Sequence, residues 1–137
     1  MSTEYTQNRN NLEAWKFAYH IYLRLLALFF IILTIQVWMK AIGISGVDQQ
    51  GFDTLPTHWR FAIAALCIIH PVTVLGLWGL FAWGIAVWLL AVLVQLAMHV
   101  VFVSMYEPDQ LLVIFHLTCF ILFVIFQIAL RIAANRK

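Results

Sequence analysis

The residues of this chain with most chemistry to offer are histidines and glutamines set into apolar runs. The stretch QLAMHVVFVSMYEPDQLLVIFHL, residues 95–117, carries Gln95, His99 and His116 among Val, Leu, Ile and Phe, and His70 and Gln127 interrupt two further apolar runs. Neutral imidazole and carboxamide each hold a donor and an acceptor, so they can satisfy one another where water is absent. Two imidazoles can also ligate a haem iron axially. Cys67 and Cys119 place two thiols in similar surroundings.

Which chemistry applies depends on the elements that carry these groups. The 137-residue chain is 64% hydrophobic and 10% charged, with more apolar surface than one small water-soluble core can hide. A helix needs about 20 apolar residues to span a bilayer. Four stretches qualify, at about residues 22–42, 61–81, 83–106 and 111–133. Each is too long and too continuously apolar for a barrel strand, which alternates over about 10 residues. The expected fold is all-α: a polytopic membrane protein whose residues 1–137 make one four-transmembrane-helix bundle, with a long outer loop at 43–57.

Ahead of the first span, Asn10 and Glu13 have the spacing of a capping pair, and Leu12, Trp15, Tyr19 and Tyr22 recur at helical intervals. They predict a short N-terminal interfacial helix that turns into the first span. Thr57 is placed to cap the second span and Asp109, after Pro108, the fourth. In GLWGLFAWG, Gly76, Gly79 and Gly84 permit a tight reversal, and Trp78, Trp83 and Trp88 fit an interfacial belt. Pro71 leaves the carbonyl of Cys67 without its helical donor, a gap that a nearby side chain or water can fill.

Basic residues near span ends stay on the cytoplasmic side. Arg9, Lys16, Arg24, Arg131, Arg136 and Lys137 flank the two termini, whereas Lys40 and Arg60 flank the opposite loops with Asp48, Asp53, Glu107 and Asp109. Both termini are therefore expected in the cytoplasm. The basic residues are few and split between two tails, so no nucleic-acid partner is implied.

With a rise of about 1.5 Å per residue, His99, His116 and His70 lie roughly 10, 8 and 15 Å below the outer boundary. Gln95 and His99 share a helical face with Ala91, Trp88 and Gly84; His116, Phe120, Phe123, Gln127 and Arg131 recur along the fourth span. Two such polar stripes on antiparallel neighbours should face each other. On this reading Gln95, His99, His116 and Gln127 are interhelical contacts of about 0.6–2 kcal/mol each, and no cofactor is required. The alternative is a haem b between His99 and His116, with His70 a further candidate ligand. A zinc or copper site from Cys67, Cys119 and the histidines lacks metal-ligand spacing.

Several activities lose their footing. There is no CxxC for dithiol exchange, and no acidic residue within a span to act as a proton relay. Ser104 lies well round the helix from His99, so no catalytic residue is expected. The function these features favour is that of a non-enzymatic accessory or scaffold component of a membrane complex. Its partners would be the lipid bilayer and other membrane proteins or further copies of itself. A haem-binding redox subunit is the alternative; a small channel or transporter is a weaker one, because no charged ring suits ion selection.

Along FDTLPTHWRFAIAALCIIHPVTVLGLWGLFAWGIAVWLLAVLVQLAMHVVF the sequence resembles a family of small, uncharacterised four-span bacterial inner-membrane proteins. The FDTLPTHWR stretch, the Trp and Gly hairpin and the later histidine carry the resemblance, over roughly residues 20–132. It implies a bacterial inner-membrane location, in agreement with the charge asymmetry, and supplies no catalytic residue.

Overall fold

The computed structural model describes residues 2–44, 52–106 and 108–135. Among them are four long helices and no strand: α1 (Ser2–Ala41), α2 (Thr57–Trp78), α3 (Ala82–Leu96) and α4 (Gln110–Asn135). A π turn at Ala97–Val101 extends α3, and all four helices are long and apolar enough to cross a membrane. Residues 45–51 of the expected outer loop, with Asp48, lie outside the described residues, as do Glu107, Arg136 and Lys137.

The N-terminal stripe is helical and runs without a break into the first span, instead of turning before it. No Gly or Pro occurs between Ser2 and Ala41, so nothing in the backbone stops the helix. Asn10 and Glu13 accordingly sit inside α1, where Glu13 pairs with Lys16 at 3.1 Å instead of capping. The helix ends at Gly43, whose φ of 75° suits glycine, with Ile44 N–H donating to the Met39 carbonyl at 3.0 Å.

The same closing motif ends α2, but its left-handed residue is Leu80 at φ 57° and not one of the glycines. Phe81 N–H donates to the Gly76 carbonyl at 3.0 Å and Leu80 N–H to that of Leu77 at 3.1 Å. Gly76 and Gly84 serve a different purpose. A Cβ on either would run into the backbone of the other, so α2 and α3 touch main chain to main chain there. The expected cap Thr57 is instead the first residue of α2; Pro56 precedes it with no side-chain cap. Asp109 does cap α4, its Oδ1 accepting from Leu112 N–H at 3.0 Å.

Helix α2 packs on both α1 and α3, more on α1, and α4 packs more on α1 than on α3. The main core joins Leu23, Leu26 and Phe30 of α1 to Leu77, Trp88 and Cys119. Trp88 is fully buried and meets Phe123 edge-on at 5.3 Å, so it belongs to the core and not to an interfacial belt; Trp78 and Trp83 stay exposed. Around the π turn, Phe102 N–H donates to the Ala97 carbonyl at 2.9 Å, and the helix stops at Val101, short of the expected residue 106. The chain then turns Tyr106 back to α2, where its hydroxyl donates to the His58 carbonyl at 3.1 Å and its ring meets Trp59 at 4.9 Å.

Candidate functional site

The inward faces of α2, α3 and α4 each deliver one polar side chain to a common place. His70 comes from the stripe Ile63, Leu66, His70, Thr73; Gln95 from Trp88, Ala91, Gln95; His116 from His116 and Cys119. His70 and His116 are wholly buried and Gln95 almost so. Helix α1 supplies Phe30, also wholly buried. Its ring meets that of His70 edge-on at 5.5 Å and that of His116 at 6.0 Å, so both imidazoles lean on one phenyl group. All four helices therefore meet at this cluster.

His116 Nε2–H donates to Gln95 Oε1 at 2.6 Å. A carbonyl oxygen can only accept, so this bond selects the Nε2–H tautomer of the neutral ring and leaves Nδ1 as an acceptor. His116 Nδ1 and both ring nitrogens of His70 make no hydrogen bond of regular geometry among the described residues. The Leu33 carbonyl and the Gln95 carboxamide interact with His70 at looser geometry. His99 lies half-buried on the π turn, close enough to His116 to act on it electrostatically. The hydrogen bond of His116 nevertheless goes to Gln95, not to the His99 expected opposite it.

Gln127 is placed a few turns away, where its Nε2–H donates to the Tyr19 hydroxyl at 3.0 Å. Nearby, the Tyr22 hydroxyl donates to the Cys119 carbonyl at 2.7 Å. Trp15, Tyr19, Tyr22 and Phe126 form an aromatic cluster around these bonds, for example Tyr22 to Phe126 at 5.2 Å between ring centres. On α4 the inward residues are His116, Cys119 and Phe123, whereas Phe120 and Arg131 of the expected stripe face outward. A period of 3.6 carries the inner face from 116 through 119 to 123, and residue 120 falls to its edge.

Tyr19 and Tyr22, which the residue pattern placed in an interfacial stripe, and Trp38, which it did not single out, prove to be hydrogen-bond partners. Their signal was the spacing of the α1 core, in which Leu23, Leu26, Phe30, Leu33 and Val37 continue the Tyr19 and Tyr22 face. Trp38 fills the gap that Pro71 opens, its Nε1–H donating to the Cys67 carbonyl at 3.3 Å. His70, the residue beside Pro71, turns inward to the cluster instead.

Chemically, the cluster offers hydrogen-bond donors and acceptors in a buried, aromatic setting. Among the described residues no group of three or more His, Cys, Asp or Glu is arranged to hold a metal ion. Cys67 packs in a second core with Val37, Ile63 and Met98, away from the core that holds Cys119. A haem taking His116 as ligand through Nε2 would have to displace its bond to Gln95.

A model of the family of unknown function DUF6163 matches residues 17–134, and the chain belongs to that family. No curated protein and no solved structure matches it.

Proposed function

We propose that this member of a family without an assigned activity is a non-enzymatic accessory or scaffold component of a membrane complex, and that it meets partner helices through the outer face of α4. The observation that carries this reading is the composition of that face. Of the 26 residues of α4 only His116 and Cys119 are buried. Directly opposite, Ile114, Thr118, Ile121, Ile125, Ile128 and Ile132 are all exposed and follow one another at intervals of four and three. That is the a and d spacing of a helix-to-helix seam. Isoleucine is stiff at χ1, so packing it against another helix freezes little side-chain motion.

The setting that fits is a bacterial inner membrane with both termini in the cytoplasm, supported by the six basic residues at the terminal ends against two at the other. Alkaline phosphatase fused near Gln50 should then be active, and inactive when fused after Lys137.

A photo-crosslinking amino acid placed at Ile121 or Ile125 in native membranes tests the function. We expect protein adducts from these positions and only lipid adducts from Leu75, which is exposed on α2. Lipid adducts alone from α4 would sink the reading. A haem Soret band in the purified chain, lost in His99→Ala and His116→Ala, would replace it with the redox-subunit alternative.

A further inference from the structure

Helices α1 and α2 enclose an open groove of about 310 Å³, lined by Ile31, Thr34, Ile35, Pro71, Val74 and Leu75 and ending at Trp38. Its polar side chains are already committed. The Thr34 hydroxyl donates to the Phe30 carbonyl at 2.7 Å and the Trp38 indole to that of Cys67. What the groove has to offer a guest is therefore contact with hydrocarbon. The two faces that form it continue towards the end of the bundle where the chain termini lie. Leu28 and Arg24 extend the run Trp38, Ile35, Ile31 at intervals of three and four, and Trp78 follows Pro71 and Leu75 in the same way. Arg24 is exposed, with its guanidinium over the Trp78 ring at 5.9 Å. Trp78, Phe81 and Trp83, all exposed, mark the headgroup level there. The nearest acid along α1, Glu13, is paired with Lys16 at 3.1 Å, and among the described residues no carboxylate pairs with Arg24.

We propose that this face binds an anionic phospholipid from the leaflet on the side of the chain termini, with its phosphate on Arg24 and one acyl chain in the groove. Depth and charge together select that occupant. Leu75 and Pro71 stand about 5–10 Å from Trp78 along α2, and Ile31 and Thr34 about 10–15 Å from Arg24 along α1. One leaflet supplies about 15 Å of hydrocarbon, half of a core of about 30 Å, so a chain that starts at the level of Arg24 reaches the groove. An apolar partner helix would fill the groove and leave the guanidinium without an anion. A phospholipid brings both parts on one molecule, and the planar fork of arginine matches phosphate oxygens. The Trp78 ring holds the cation at that level through its π face. The site lies on α1 and α2, apart from the α4 face that meets partner helices in the function proposed above.

Full-length protein in nanodiscs of equal parts dioleoyl phosphatidylglycerol and dioleoyl phosphatidylcholine tests the site, because these lipids share acyl chains and differ in headgroup charge. A benzophenone amino acid at Leu75 captures the chain beside it, and mass spectrometry of the adducts reads the headgroup. The anionic lipid should exceed the zwitterionic one several-fold at Leu75 and match it at Leu90, which is exposed on α3 and does not line the groove. Arg24→Gln should bring the Leu75 ratio down to that of Leu90. Arg131→Gln removes an exposed cation of α4 near the same end and should leave the ratio unchanged. Equal ratios at Leu75 and Leu90 in the otherwise unsubstituted chain overturn the proposal, whether or not either arginine variant folds. An enrichment that survives Arg24→Gln, or that falls equally with Arg131→Gln, overturns it too, since no bond to Arg24 would then be selecting the lipid. Protein adducts at Leu75 in place of lipid would give the groove to a second copy of the chain instead.

Discussion

The indole Nε1–H of Trp38 on α1 donates at 3.3 Å to the carbonyl of Cys67 on α2, the one carbonyl that Pro71 deprives of its helical donor. A proline inside a helix thus becomes a contact between two helices. Trp38→Phe keeps most of the ring and removes the donor, so it should weaken the bundle by about 1 kcal/mol. In a Pro71→Ala background the amide of residue 71 serves the carbonyl, and the same substitution should then have little effect. Unfolding in mild detergent of the four chains of this cycle checks the coupling.

The contact between Gly76 and Gly84 leaves no room for a methyl group on either side. Gly76→Ala and Gly84→Ala should each push α2 and α3 apart and destabilise the protein by about 1–3 kcal/mol. The double substitution should fall short of the sum, since the first methyl already separates the helices. Stability measured by detergent unfolding separates these outcomes.

Leu80 holds a left-handed backbone that ordinarily disfavours a side chain by about 1–2 kcal/mol, and it also packs against the core. Comparing Leu80→Gly with Leu80→Ala isolates the backbone from the packing, because both lose the side chain and only glycine relieves the strain. The glycine variant should be the more stable by about 1 kcal/mol. Equal stability would place no strain at this turn.

Gln95 and His116 should be coupled in a double-mutant cycle by about 0.6 kcal/mol, up to about 1.7, the range of hydrogen bonds between membrane helices. The cycle uses Gln95→Leu and His116→Phe and reads unfolding in detergent. The coupling of His116 to His99 should be the smaller, because the bond of His116 is made to Gln95.

The four helices were legible in the sequence because length and hydropathy are local properties, and so were the Asp109 cap and the carbonyl gap that Pro71 opens at Cys67. What fills that gap was not. Trp38 lies 29 residues away and reaches Cys67 only because α1 packs along α2. The same holds for the cluster. Three polar residues on three helices were visible, but the choice of Gln95 for His116, the turning of His70 towards them and the burial of Trp88 depend on how the helices are set against one another. The physical reason is the surroundings the helices are suited to. In water, the contrast between polar and apolar faces announces which side of a helix turns inward. Here Ile121 outside and Leu26 inside are equally apolar, so composition does not distinguish them, and small residues and polar side chains are the only marks of the interior. Those marks name the residues that pair, and only the packed helices decide the partners.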